Sequence, residues 1–246
     1  MGRYSAGLAP VFADAAGVFA GSDVAVLDVG CGPGALTGVL VDRLGSAAVS
    51  SCDPSPPFVT ACSARFPQVT VRLGRAEELP FQVATFDVVL AQLVMHFVSD
   101  PATAANEMRR VVKPGGLIGA CVWDFADEME MLRHFWDAAL VIDPTAPDEA
   151  RTLRFGQSGE IAELFADAGY RDIVESTLTA TTTYADFDEL WTGFLGGVGR
   201  AGSYCVALDE HRRGLLRNEM FRSLGSPSGT FTLSGTARCA TSHTPG

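Results

Sequence analysis

The sequence predicts an α/β protein built on a mostly parallel sheet, and three stretches carry that prediction. Residues 24–29 form an apolar strand that passes through Asp28 into Gly30-Cys31-Gly32-Pro33-Gly34 and then into a helix. Strand-like and helix-like segments then alternate as far as Asp124, a pattern that gives parallel strands, right-handed crossovers and a site at the strand C-terminal ends. Finally, two strand-like segments near the C-terminus flank a helical stretch, so a helical insertion between the sixth and seventh strands is expected.

The elements follow in order. Leu8, Val11, Phe12, Ala15 and Ala16 give a short amphipathic helix ending near Gly17, within an N-terminal cover over residues 1–22. Arg3 and Tyr4 precede it, either as an exposed start or as an edge of the ligand site. After the glycine loop, Leu36, Val39, Leu40 and Leu44 mark a helix facing the sheet, and a second strand over 47–52 ends at Asp53 before Pro54. A helical stretch runs to Phe66, a brief strand covers 69–73, and a polar segment spans 74–81. The fourth strand is 86–91, with a loop or short turn over 92–98.

Asp100-Pro101 is a helix start, since Asp caps and Pro is tolerated at the first helical position. Lys113-Pro114-Gly115-Gly116 stops that helix, and 117–123 is the fifth strand, followed by Asp124. A helix is expected around 129–140, and another capped by Ser158 and closed by Gly169. Residues 172–183 read as a sixth strand; helices follow over 187–195 and 208–224, separated by a glycine-rich break at 196–199. Residues 230–240 alternate again, as an antiparallel edge partner to the sixth strand. The segment 185–228 is therefore a helical insertion, placed as a lid or as a subunit contact.

Composition narrows the function. A chain of 246 residues suffices for one substantial core, and 47% hydrophobic with 19% charged residues indicates a folded protein. The net charge of −11, from 18 Lys and Arg against 29 Asp and Glu, opposes a nucleic-acid partner. The pairs Arg109-Arg110 and Arg212-Arg213 read as solvated helix faces. Six scattered cysteines form no CxxC pair, so neither a structural disulfide nor a zinc site is expected, and a cytoplasmic address follows. The four histidines, His96, His134, His211 and His243, show no metal-ligand spacing, and no apolar run reaches the length of a membrane span.

The glycine loop reads as a nucleotide-type cofactor loop, because glycines permit close approach and a helix start leaves N–H groups unpaired. In such a domain the residue ending the second strand reaches the cofactor ribose. Asp53 holds that position, 19 residues after Gly34; its other reading is a cap for the helix after Pro54.

Val26-Leu27-Asp28-Val29-Gly30-Cys31-Gly32-Pro33-Gly34 resembles the first motif of the class I S-adenosylmethionine-dependent methyltransferases, especially the group like the quinone-biosynthesis C-methyltransferases. Residues 74–81, the strand 86–91 and Val111-Val112-Lys113-Pro114-Gly115-Gly116 resemble later motifs in the same order. The resemblance covers residues 22–124 strongly. It implies a single domain over 1–246 with its cofactor core at 23–124. The sheet would be Rossmann-like and seven-stranded, with the last strand antiparallel and helices on both faces. It implies that Gly30, Cys31, Gly32 and Gly34 lie beside the methionyl part of S-adenosylmethionine, with S-adenosylhomocysteine as product. Asp28 would order the loop or meet the methionyl ammonium through water. Asp53, with Pro54 beside it, would bind the ribose, Ala76 would meet the adenine edge through its backbone, and Ala91 and Gln92 would lie near the methionyl amine. Arg75 departs from the family, which usually has an acid there to accept from the adenine amino group. Arginine has donors only, so Glu77 is the alternative acceptor.

The resemblance favours a small organic acceptor methylated at C, O or N. No Asn-Pro-Pro-Tyr or Asp-Pro-Pro-Tyr run follows the fourth strand, where Ala91-Gln92-Leu93-Val94 stands, which argues against methylation of bases. His96 is the neutral group placed to act as a base, its rival reading being a packing or cofactor-shell residue. Tyr4, Trp123, Asp124 and Trp191 are expected at the acceptor pocket, with His134 and Trp136 as further aromatic lining. A monomer or homodimer is expected. The competing functional reading is a cofactor-binding protein without turnover, in a regulatory or structural role.

Overall fold

The computed structural model describes residues 2–245, whose strands form one seven-stranded sheet in the order β3-β2-β1-β4-β5-β7-β6. The elements run α1 (Gly2–Ala15), β1 (Val26–Val29), α2 (Ala35–Leu44), β2 (Val49–Asp53), α3 (Pro56–Arg65), β3 (Thr70–Leu73) and β4 (Phe86–Gln92). They continue with α4 (Pro101–Val111), β5 (Val112–Trp123), α5 (Glu130–Ile142), α6 (Glu160–Asp167), β6 (Arg171–Tyr184), α7 (Phe187–Leu195), α8 (Gly199–Ala207), α9 (Glu210–Ser223) and β7 (Phe231–His243). Strands β1 to β5 are parallel, and β7 runs antiparallel to β5, with Cys121 opposite Cys239 and Trp123 opposite Ala237. No helix of the described residues is long and apolar enough to cross a membrane.

The chain forms two compact units. The first contains the described residues up to Trp123, Arg154–Ala180 and those from Ala237 on. Its central strand, β1, is buried along its whole length between β2 and β4. Continuous burial on both faces explains why β1 and β4 read as apolar runs rather than alternating ones. The strand order reverses at β1, which places a crevice at the C-terminal ends of β1 and β4. Helix α4 starts as the sequence dictates: Asp100 accepts from Thr103 N at 3.0 Å and Pro101 occupies the first turn.

The second unit comprises Asp124–Leu153 and Thr181–Thr236. An aromatic cluster organises it. The rings of Phe135 and Phe194 stack 4.4 Å apart, and Trp136 stands edge-on to Phe135 at 5.1 Å. The Trp136 indole donates to Glu149 Oε2 at 3.0 Å. Nearby, Arg133 pairs with the buried Asp148 at 3.0 Å and donates to Phe125 O.

Five local expectations are corrected. Strand β7 lies inside the sheet between β5 and β6 instead of at its edge, because two antiparallel neighbours satisfy both of its sides. Tyr4 lies within α1 and is fully buried, so the helix begins earlier than its apolar rhythm indicates. Gly199 does not end the helical stretch: it opens α8, with Val198 as its cap position. The cap position of α6 is Gly159, not Ser158. Strand β5 pairs from Val112 onward, with Lys113-Pro114-Gly115-Gly116 bulged out opposite Asp87, whose carboxylate holds Lys113 Nζ at 2.8 Å.

The Arg133–Asp148 pair generates a stability prediction. Asp148→Ala leaves a nearly buried guanidinium without its main carboxylate, and should lower stability by about 3 kcal/mol. Asp137→Ala, which removes the exposed second partner of Arg133, should cost about 0.5 kcal/mol or less. Urea unfolding midpoints of the two variants test the contrast.

Candidate functional site

The turn after β1 is held against β2 by its own backbone. Gly30 N and Cys31 N both donate to Cys52 O, at 2.8 and 3.0 Å. Gly32 N donates to Asp53 Oδ2 at 2.9 Å, while Asp53 Oδ1 accepts from Ser55 N at 2.8 Å. Asp53 is therefore tied to the glycine loop and to the start of α3, whose cap position is Ser55. Pro54 is the exposed residue between them.

Two glycines in this turn are sterically required. Gly30 has φ +70°, and a Cβ there would stand 2.4 Å from Val94 Cγ2. Gly34 has φ +89°, and its Cβ would stand 2.6 Å from the Phe66 ring. Gly32 differs: with φ +53°, its missing Cβ faces open space with no atom within 4 Å. The loop is thus clamped on either side of Gly32 and open at it, which suits close approach of a ligand to backbone.

Behind the loop lies a buried polar knot. Thr37, in the first turn of α2, donates its hydroxyl to Asp28 Oδ2 at 2.6 Å. Its single proton is thereby used, so Ser51 Oγ, 3.0 Å away, donates to Thr37. Asp28 is 1% exposed, and burial pushes its carboxyl up to about 7, opposed by the Thr37 hydrogen bonds and reinforced by the charge of Asp53. Neither Thr37 nor Ser51 was singled out by motif reading. Their only sequence signal is a hydroxyl one turn into the helix and another inside the second strand.

The other strand ends contribute side chains. Gln92 closes β4 and its Nε2 donates to Ser5 O of α1 at 3.0 Å. Trp123 closes β5 and meets Tyr4 edge-on, with ring centroids 6.3 Å apart. Gln92 pairs with Cys121 in the register of β4 and β5, so Gln92 and Trp123 lie on the same face of adjacent strands. Helix α1 therefore covers both ends. Among the described residues, the buried Gln92 Oε1 and Trp123 Nε1 have no hydrogen-bond partner. Ala91 is buried within β4. Leu93 takes φ +61° immediately after the strand and donates to Cys121 O. His96 is half-buried on the one-turn 3₁₀ helix Met95–Phe97, its ring tilted against Phe97 at 3.9 Å.

After β3, Ala76 is buried, while Arg75 is 62% exposed and pairs with Glu77 at 3.3 Å. Glu77 also accepts from Ser99 N at 3.1 Å, which ties this loop to the segment after β4. The loops that follow β1, β2, β3 and β4 thus converge on one edge of the sheet. The remaining expected residues belong to the second unit. Asp124 is buried and accepts from Ala126 N and Asp127 N. Trp191 is buried between Phe187 and Phe194, His134 Nδ1 lies 3.0 Å from Ser223 Oγ, and Trp136 serves the aromatic cluster.

Asp28 gives the site a pH signature. Between pH 3.8 and about 7 the native carboxyl holds a proton that the unfolded chain has released. Stability therefore falls as pH rises through that window and levels off above it. Asp28→Asn keeps an acceptor for Thr37 and removes the titration, so its melting temperature should decline less than that of the wild type between pH 5 and about 8. Thermal melts across that range are the check.

Comparison with known proteins places these features in a family context. Residues 27–120 match the family model described as "Methyltransferase domain". An uncharacterised methyltransferase of Mycobacterium tuberculosis is 43% identical over 103 residues, covering 42% of this chain, and the match spans 41% of that protein. A malonyl-[acyl-carrier protein] O-methyltransferase of Herminiimonas arsenicoxydans is 31% identical over 179 residues, covering 72% of this chain and 65% of its own. In fold, the chain is similar to Haemonchus contortus phosphoethanolamine N-methyltransferase 2 in complex with S-adenosyl-L-methionine. That match has TM-score 0.58 and 15% identity, and covers 97% of this chain and 52% of the other.

Proposed function

We propose that this chain, whose residues 27–120 match the methyltransferase domain model, is a class I S-adenosylmethionine-dependent methyltransferase that transfers the cofactor's methyl group to a small organic acceptor. The observation that carries this reading is the open backbone at Gly32, clamped between two crowded glycines and bonded to the carboxylate that ends β2. An extended ligand carrying a ribose and an amino-acid portion fits such a cradle: the bare backbone at Gly32 admits close approach, and Asp53 keeps lone pairs for two hydroxyls.

S-adenosylmethionine supplies a methyl already activated on a sulfonium, so the protein's task is alignment. Asp53 orients the ribose, and the Gly30–Gly34 backbone seats the methionyl part. Ala91 and Gln92 border the methionyl amine. The adenine side belongs to Ala76 and Glu77, because Arg75 is turned outward onto Glu77. Glu77 is the acceptor there, in place of the acid the family carries two residues earlier. Toward the acceptor, Gln92 Oε1 offers a lone pair and Trp123 Nε1 a proton, and Tyr4 holds the Trp123 ring in place. His96 receives the proton when the acceptor must lose one before attack. A group that both donates and accepts, such as a hydroxyl, an amide or a carboxylic acid, complements the Gln92 and Trp123 pair.

Calorimetric titration with S-adenosylmethionine, S-adenosylhomocysteine and NAD tests the cofactor. Binding of the first two and not of NAD is expected. Asp53→Ala should weaken it by about 100-fold or more, the value of two charge-assisted hydrogen bonds. Gly32→Ala keeps the loop's hydrogen bonds, costs about 1 kcal/mol of stability for its positive φ, and should fill the cradle and abolish binding. A folded sample that binds neither adenosyl compound would sink the reading. Release of S-adenosylhomocysteine in a screen of phenolic, quinone-like, carboxylic and amine compounds then identifies the acceptor class.

A further inference from the structure

From the sequence, Arg109 and Arg110 read as a solvated helix face, yet the fold sets them into a concavity. A cavity of about 400 Å³ lies in the first unit, and its charged wall is Arg109, Arg110 and Lys113, with Asn106 beside them. Asn106, Arg109 and Arg110 share one face of α4 at i, i+3 and i+4, and Lys113 follows at the start of β5. The rest of the wall is mostly apolar, with Val112 and Pro114 in it. Among the described residues no carboxylate lines this cavity, in a chain that carries 29 acidic side chains against 18 basic ones.

The three cations are not equally committed. Arg110 directs its donors to Glu107, Leu79 O and Phe81 O. Lys113 Nζ donates to both oxygens of Asp87, at 2.8 and 2.9 Å, which leaves one of its protons. Neither Glu107 nor Asp87 belongs to the cavity wall. Arg109 differs from both: its hydrogen bond among the described residues goes to a backbone carbonyl, Ala168 O, at 2.8 Å. Most of its N–H groups and its whole charge are therefore available. Its Nη1 lies 2.5 Å from the place a Cβ on Gly169 would occupy, so the guanidinium rests on a residue without a side chain. Arginines in the last turn of a helix complement its dipole, a task that needs neither a concave wall nor the exclusion of acids from it.

We propose that this cavity binds a small organic phosphate monoester at a site separate from the proposed methyl-transfer site. The terminal oxygens of a phosphate take paired N–H groups from Arg109 and further donors from Lys113 and Asn106, while the apolar part of the wall covers the organic group. A phosphate monoester engages more of these donors than a carboxylate, having one more terminal oxygen. The cavity stands where β4 and β5 begin and β7 ends, whereas Gln92 and the glycine turn stand at the opposite ends of β4 and β1. The length of β4 separates the two sites, roughly 20 Å at about 3.3 Å per residue. Binding in the cavity is therefore independent of what the glycine turn holds.

Calorimetric titration of the full chain with phenyl phosphate and with inorganic phosphate, in a phosphate-free buffer of low ionic strength, tests the site. Phenyl phosphate should bind one to one and roughly tenfold more tightly than inorganic phosphate, the effect of covering part of one ring. Arg109→Gln should weaken binding about tenfold or more. Asn106→Asp places a carboxylate in the wall at an exposed position and should abolish binding; it keeps the test open should the arginine variant be unstable. Arg222→Gln, which removes the same charge from the exposed side of α9, should bind like the wild type, and saturating S-adenosylhomocysteine should leave the affinity unchanged. No binding of phenyl phosphate overturns the proposal. So does binding that survives both Arg109→Gln and Asn106→Asp, which marks an adventitious ion only. Equal affinity for the two phosphates overturns the organic ligand. Loss of binding in the presence of S-adenosylhomocysteine assigns the phosphate to the cofactor cradle and overturns the separate site. Failure of S-adenosylhomocysteine itself to bind overturns the cofactor reading and leaves this proposal standing.

Discussion

The attachment of the glycine turn to the end of β2 is the constraint on which the rest of the site depends. Two amides, from Gly30 and Cys31, converge on Cys52 O, and a third, from Gly32, reaches Asp53. These bonds are possible because β1 and β2 are parallel neighbours in register, Val29 beside Cys52. A strand pairing therefore sets where the loop's backbone donors stand, and crowding by Val94 and Phe66 forbids side chains at Gly30 and Gly34. The left-handed conformations that result are affordable for glycine alone. The loop after β4 is drawn into the same arrangement, since Val94 is the residue that fills the space Gly30 vacates.

Buried acid is the cost of this arrangement. Asp28 lies inside the sheet with Asp53 nearby, and its carboxyl is pushed up to about 7 by burial first of all. The hydroxyl of Thr37 donates to it and accepts in turn from Ser51. The chain accepts a group whose charged form is disfavoured, and in return the first turn of α2 is tied to the end of β1. A buried polar network that is satisfied in this way rigidifies its surroundings. The same turn of α2 also receives Cys62 from α3, so loop, strand and two helices share one small region.

How much of this was legible in the sequence depended on whether the cause was local. Glycines followed by a helix, Asp53 at a strand end and Asp100 before Pro101 all act through nearest neighbours, and each occupies the position its chemistry indicates. The position of β7 inside the sheet is a long-range outcome: alternation identifies a strand without naming its neighbours. Helix α8 was hidden because Gly199 reads as a breaker, yet glycine is tolerated at a helix start, where cap geometry rather than propensity decides. Tyr4 was hidden because its burial comes from Trp123, which lies 119 residues away in sequence but edge-on to it in the fold. Arg75 was legible as a departure, and its outward pairing with Glu77 supplies the physical reason the departure is tolerated.

The two sides of the site are made of different material, and this explains why one can be read from motifs and the other cannot. On the cofactor side of the proposed site stand bare glycine backbone in a left-handed turn and one carboxylate. Such a set requires glycine and an acid at definite spacing, so it leaves a motif. On the acceptor side of the proposed site stand side-chain atoms, Gln92 Oε1 and Trp123 Nε1, buried under α1 without hydrogen-bond partners. Leaving each unpaired costs about 1 to 3 kcal/mol, an expense that a purely structural role would remove by substituting apolar residues of the same shape. In the proposed site, a ligand that supplies both a donor and an acceptor would recover that expense. Specificity of this kind rejects molecules that lack either group, and it requires no fixed spacing, because α1 and the strand ends meet only in the folded chain.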